Sequence, residues 1–162
     1  MKAGILTISD KGSRQERVDT SGPAVTAVLK EIGAVIEKYE IIPDENDVIA
    51  RKLVEYADEL RLDLVVTTGG TGVAPRDVTP DATRMVIEKE IPGMAEAMRM
   101  ESLKKTPHAV ISRALAGIRG RTLIINLPGS PRGATENLRA ILDAIPHAVA
   151  KIQGDPADCA TP

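Results

Sequence analysis

The chain has 162 residues, enough for one domain around one core and too few for two. Apolar residues make up 43% and charged residues 27%, as in ordinary globular proteins, and a net charge of −2 excludes a nucleic-acid or membrane surface working by bulk attraction. With two Tyr and no Phe or Trp, the core must be aliphatic, and a base-stacking platform for single-stranded nucleic acid is excluded. The single cysteine, Cys159, excludes a disulfide within the chain and fits a reducing, cytoplasmic compartment. Met1–Asp10 reads as a strand rather than a signal peptide, and no apolar run reaches membrane-spanning length.

In chain order, Ile5–Ile8 is a short apolar run with β-branched residues, which predicts a buried strand. Asp10–Asp19 is polar, carries Gly12 and Ser13, and reads as a loop. Thr20 or Ser21 caps a helix with Pro23 in its first turn, apolar at Val25, Val28, Leu29 and Ile32, and stopped by Gly33. Val35–Ile42 is a second strand ending at Pro43. Asp44 or Asn46 caps the next helix, whose stripe is Ile49, Leu53, Tyr56, Ala57 and Leu60. Asp63–Thr68 is a strand with continuous apolar residues at Leu64–Val65–Val66, suited to burial on both faces. Thr79–Pro80–Asp81 starts a helix as cap, first-turn proline and N-terminal acid, and Ile91–Pro92–Gly93 opens another. Ala114–Ile118 and Thr122–Leu127 flank Arg119–Gly120–Arg121 as a hairpin. Ser130–Pro131 caps a last helix with Leu138, Ile141, Leu142 and Ile145 in its stripe, kinked or divided at Pro146. The expected organisation is one domain over residues 1–154 and a frayed tail over 155–162.

Alternating strands and helices predict an α/β sandwich with a mainly parallel sheet. Ligands in such sheets sit beyond the carboxyl ends of the strands, which singles out the loops Ser9–Asp19, Thr67–Pro80 and Asn126–Gly133. Thr67–Thr68–Gly69–Gly70–Thr71–Gly72 has three glycines in four positions, so its backbone can turn sharply and offer successive N–H groups to an anion. It matches neither a Walker A loop nor a dinucleotide fingerprint, and taken alone it is equally a tight strand-to-helix turn. Arg76–Asp77 follows. Asp77 beside a phosphate nest makes sense if Mg²⁺ intervenes, since Mg²⁺ takes one or two carboxylates plus phosphate oxygens; otherwise the two residues form a surface ion pair. Asp44 is either a helix cap or a second carboxylate on the same sheet edge. Pro128–Gly129–Ser130 leads into a helix N-terminus, which favours anions. His108 and His147 make no metal-spacing pair, and neither a proteolytic triad nor a zinc site is supported.

Thr67–Thr83, read as TTGGTGVAPRDVTPDAT, resembles the signature of the molybdopterin-binding MogA/MoaB family, to which the G domain of gephyrin also belongs. Leu6–Asp10, Ile42–Glu45, Ile91–Met94, Ile111–Ala114 and Ile125–Pro131 with Glu136 agree with it, so the resemblance runs to about Gly154. It implies a three-layer α/β/α fold, usually trimeric or else hexameric. It implies transfer of AMP from ATP to the terminal phosphate of molybdopterin with Mg²⁺, and release of pyrophosphate. Asp44 and Asp77 match the family's two essential acids and would be the catalytic and Mg²⁺-holding pair. Ser9, Asp10, Thr68, Gly69, Gly70, Thr71, Gly72, Ser112, Arg113, Pro128, Gly129 and Ser130 would bind ATP and molybdopterin. A transient contact with a molybdate-insertion protein belongs to the same picture. The alternative is a weakly active or non-catalytic pterin-binding paralogue of MoaB type.

Overall fold

Residues 1–157 are described by the computed structural model; Cys159 and the end of the expected tail lie outside them. The chain folds as β1 (Lys2–Ile8), α1 (Asp10–Ser13), α2 (Ser21–Glu31), β2 (Val35–Ile42), α3 (Asn46–Val54), β3 (Leu64–Thr68), α4 (Thr79–Val86), β4 (Lys89–Glu90), α5 (Pro92–Leu103), β5 (Ala116–Arg119), β6 (Thr122–Leu127), α6 (Pro131–Ile141) and α7 (Ala144–Ile152). A π-helical turn, Glu55–Glu59, continues α3, and a 3₁₀ turn covers Pro107–Ile111.

The strands lie in the order β2-β1-β3-β6-β5-β4. β2, β1, β3 and β6 run parallel, and the expected hairpin adds β5 antiparallel to β6. Burial follows the sequence pattern. β3 and β6 are buried at every residue and sit inside the sheet, whereas β2 alternates and forms an edge. Successive strand residues then feed two cores. Ile5, Leu64, Val66, Leu123 and Ile125 pack with residues of α2, α5, α6 and α7 on one face. Leu6, Val65 and Ile124 pack with Ile49, Leu53, Tyr56, Ala82 and Val86 on the other. The result is a three-layer α/β/α sandwich with an aliphatic core, as expected.

Local signals fared unevenly. Asp10–Asp19 is not all loop, because Ser9 Oγ accepts from Gly12 N–H at 3.1 Å and starts the short α1. Neither Thr20 nor Ser21 caps α2 through its side chain; Asp19 Oδ1 takes the N–H groups of Ser21 and Gly22 instead. Glu45, not Asp44 or Asn46, occupies the N-cap of α3 and makes no side-chain cap bond. Thr79 is the first residue of α4 and does not cap it. The cap at Ser130 is present, with Oγ accepting from Gly133 N–H at 3.1 Å. The last helical stretch divides at Leu142–Asp143, leaving Pro146 in the first turn of α7, where its missing N–H costs little.

Register places Asn126 of β6 opposite Thr67 of β3. Asn126 Nδ2 donates to Thr67 Oγ1 at 3.0 Å and to Thr83 Oγ1 on α4 at 2.9 Å, all three residues being fully buried. This network ties α4 to the strand that carries the glycine turn. Asn126→Ala removes both bonds and strands the buried Thr67 hydroxyl, while Thr83 Oγ1 keeps its bond to the Thr79 carbonyl; the free energy of unfolding should fall by about 2 kcal/mol, read by urea denaturation.

Candidate active site

The parallel strands bring the exits of β1, β2, β3 and β6 to one edge of the sheet. The chain leaves β1 toward β2 and then returns past it to β3, so this edge is a topological switch point, the usual seat of a ligand in such sheets. A cavity of about 370 Å³ opens there, and its walls include Ser9, Asp19, Asp44, Thr68–Gly70 and Gly129–Ser130.

Two glycines make the floor. Gly69 has φ +108°, and a Cβ on it would lie 2.3 Å from the Ile8 carbonyl oxygen. Gly70 has φ +62°, and its Cβ would meet Thr79 Oγ1 at 2.4 Å and Asp44 Oδ1 at 3.1 Å. Left-handed backbone with no space for a side chain admits only glycine. The second turn packs against the first: a Cβ on Gly129 would lie 3.2 Å from Gly69 Cα, and Thr68 Oγ1 donates to the Pro128 carbonyl at 2.7 Å.

The acidic wall comes from three loops. Asp10 N–H donates to Asp44 Oδ2 at 2.8 Å, and Asp44 N–H returns the bond to Asp10 Oδ1 at 3.1 Å. Arg76 does not pair with its neighbour Asp77. It grips Asp10 with two hydrogen bonds, Nε to Oδ2 at 3.0 Å and Nη2 to Oδ1 at 2.7 Å. The guanidinium hydrogen bond holds the Asp10 carboxyl below its usual range. Burial pushes the Asp44 carboxyl up; the Asp10 N–H and the Arg76 charge pull it back, the negative charges of Asp10 and Asp77 push against them, and burial prevails. Asp44 is therefore a half-buried carboxylate with a raised pKa and no direct ion pair among the described residues. Asp77 Oδ2 accepts from Ala74 N–H at 2.8 Å and stands beside Gly72.

A second cavity, of about 280 Å³, meets the first at Ser130. Thr71, Gly72, Ser112 and Pro128 line it, together with Asn137 and His108. The expected binding residues thus divide between two adjoining spaces. Asp10, Arg113 and Asp77 line neither; they brace the walls. Arg113 N–H donates to the Thr71 carbonyl at 2.9 Å, and its guanidinium pairs with Asp81 on α4. Arg113 therefore pins the glycine turn to α4.

Sequence reasoning passed over Asp19. It lines the first cavity and receives hydrogen bonds from Thr7 Oγ1, Ser21 Oγ and N–H, Gly22 N–H and the Tyr39 hydroxyl. Burial pushes its carboxyl up, but these donors together outweigh burial and hold it below 3.8. Burial and the bond to Asp19 push the Tyr39 hydroxyl up to about 12. An acid with a folded pKa below its unfolded one stabilises the fold above the unfolded value, and loses that contribution as pH falls through the folded value. Asp19→Asn should therefore melt lower than wild type at pH 7, and the gap should close below about pH 4. Thermal scans between pH 3 and 7 measure it. The spacing Asp-x-Ser-Gly before a helix was the available signal, an Asx-type cap one residue earlier than Thr20.

Known proteins place this geometry. The family described as a probable molybdopterin binding domain matches residues 4–147. A molybdopterin adenylyltransferase of Helicobacter pylori is 49% identical over 154 residues, covering 94% of this chain and 88% of that protein. The crystal structure of the molybdopterin biosynthesis enzyme MoaB from Thermus thermophilus superposes with a TM-score of 0.90 at 52% identity, over 97% of this chain and 99% of that one. The tungsten cofactor synthesizing protein MoaB of Pyrococcus furiosus superposes with a TM-score of 0.85 at 34% identity, over 94% and 96%. This chain therefore belongs to the molybdopterin-binding MogA/MoaB family.

Proposed function

We propose that the protein is a molybdopterin adenylyltransferase of molybdenum-cofactor biosynthesis, moving AMP from ATP to the terminal phosphate of molybdopterin with release of pyrophosphate. The observation that carries this reading is the convergence of Asp44 with the Gly69–Gly70 and Gly129–Ser130 turns on one cavity, with Asp77 near enough to raise the Asp44 pKa. The name carried by the Helicobacter relative supports it. Two cavities sharing Ser130 supply room for two substrates.

In the reaction a molybdopterin phosphate oxygen forms a bond to the α-phosphorus of ATP. The bond from that phosphorus to the α,β-bridging oxygen breaks, and pyrophosphate leaves with its electron pair. Both reactants are anionic, so repulsion and alignment set the barrier. The Gly69 N–H is taken by the Leu127 carbonyl at 3.1 Å, so the rest of the two glycine turns and the N-terminus of α6 would supply the N–H groups that offset the phosphate charge. No side chain acts as nucleophile.

Mg²⁺ fits the donors present. Arg76 makes its direct ion pair with Asp10, Asp44 has no ion-pair partner of its own among the described residues, and among them no group of three or more His, Cys, Asp or Glu forms a protein cage. Mg²⁺ is the ion that makes do with one or two carboxylates and completes its shell from substrate phosphates and water. Asp44 and Asp77 would hold it, and it would neutralise charge on the triphosphate.

Met100 and Leu103 on α5, and Val110 and Ile111 on the following 3₁₀ turn, are exposed apolar residues, a composition suited to a homotrimer interface. Equilibrium sedimentation should give three times the chain mass. A cytoplasmic location accords with the supply of ATP; no helix among the described residues is long and apolar enough to cross a membrane. The adenylylated product would pass to a molybdate-insertion protein.

The test is direct transfer. Purified protein with molybdopterin, ATP and Mg²⁺ should yield adenylylated pterin and pyrophosphate in equal amounts. Pterin binding without either product would identify a non-catalytic paralogue and overturn the assignment.

A further inference from the structure

Thr79 is fully buried at the first position of α4, and its hydroxyl has no hydrogen-bond partner. Its neighbours differ. Thr67 Oγ1 accepts from Asn126, Thr68 Oγ1 donates to the Pro128 carbonyl, and Thr83 Oγ1 donates to the Thr79 carbonyl. The Thr79 hydroxyl does not cap its helix, and no fold requirement explains it. A buried hydroxyl without a partner costs stability, and valine would fill the same volume without that cost.

The hydroxyl points at a particular place. The notch left by the absent side chain of Gly70 lies 2.4 Å from Thr79 Oγ1 and 3.1 Å from Asp44 Oδ1. Thr79 and Asp44 thus face one notch from two sides. Asp44 Oδ2 is already occupied by the Asp10 N–H, and Oδ1 is the oxygen turned to the notch. Thr79 N–H donates to the Gly70 carbonyl at 3.1 Å, so the start of α4 and the glycine turn move as one unit.

We infer that Thr79 is a positioning residue for Asp44: its hydroxyl donates across the Gly70 notch to Asp44 Oδ1 in the substrate-loaded enzyme. Hydrogen bonds of this kind are commonly long in the free enzyme and tighten in the complex. With Oδ2 held by Asp10 N–H and Oδ1 by Thr79, the carboxylate can no longer rotate away from the phosphates. Thr79 touches neither substrate and acts through Asp44. The inference rests on the catalytic reading of Asp44 proposed above.

Thr79→Val and Thr79→Ser separate this role from a packing role. Melting temperature and steady-state transfer are measured on both variants and on wild type. Thr79→Val should melt at or above the wild-type temperature yet lose about tenfold or more in kcat, the usual effect of removing a hydrogen bond to a charged group, with KM for ATP changed little. Thr79→Ser should melt lower, having lost a buried methyl, yet restore kcat toward wild type. Stability and activity then run in opposite orders, which a packing role does not produce. Wild-type kcat in Thr79→Val overturns the inference. So does a kcat loss that follows a lowered melting temperature, or one that Thr79→Ser fails to restore. A wild type that transfers nothing removes the adenylyltransferase reading and the inference with it, whereas an active wild type beside an undiminished Thr79→Val removes the inference alone.

Discussion

Asp77→Ala should abolish adenylyl transfer and leave the fold standing. The side chain makes one hydrogen bond, accepting from Ala74 N–H, while the backbone bond from Asp77 N–H to the Ala74 carbonyl survives the substitution. The stability cost is then about 1 kcal/mol, the net worth of one hydrogen bond. The catalytic cost is larger. With Asp77 gone, Asp44 is left to face the phosphates and their counter-ion alone, and losing one preorganised electrostatic group commonly costs about 10²–10³ in kcat. Transfer assayed beside circular dichroism checks both halves. An Asp77→Ala protein that unfolds would mean that Asp77 serves the loop and not the chemistry, and a folded, active one would remove it from the mechanism.

Gly69→Ala should have the largest effect on stability and also destroy the site. A Cβ there would sit 2.3 Å from the Ile8 carbonyl oxygen, a backbone atom at the end of a strand buried from Ala3 onward, so no flexible group can yield. The φ of +108° is strained for any L side chain. Overpacking and strain together cost about 3 kcal/mol or more. Relief requires Gly69 to leave its contact with Gly129, which separates the two turns that face the cavity. Denaturation midpoints and ATP binding should therefore fall together. By contrast, Gly120→Ala is strained only by its φ of +54°, has nothing within 4 Å of its Cβ, and serves as the control.

The two variants show how much of this protein is legible in its residues. The strand-like runs at Ile5–Ile8 and Thr122–Leu127 and the continuous apolar run at Leu64–Val66 announced the inner strands, and the α/β class followed from their alternation with helices. The loops after the strand exits were expected to hold the ligand, and of their residues Ser9, Asp44, Thr68, Gly69, Gly70, Gly129 and Ser130 line one cavity. Caps were read less well. Serine, threonine and acidic side chains near a helix start all suit the cap by type, and which of them takes the free N–H groups is decided by what else competes for it. At α2 Asp19 prevailed, and at α3 Asp44 was drawn to Asp10 instead.

Local order thus decided where strands and glycine turns occur, because hydrophobic period and backbone freedom are properties of short segments. Which charges meet around the site was decided by tertiary structure. Arg76 adjoins Asp77 in the chain yet grips Asp10, sixty-six positions away, and Arg113 reaches back to Asp81. Thr79 looks like a cap in the sequence, and its orphaned hydroxyl facing Asp44 exists only because β2 and β3 flank β1 and end on the same edge of the sheet. Electrostatic and hydrogen-bond partners depend on distances across the fold, and those are set by strand order and register, which no short stretch of residues contains.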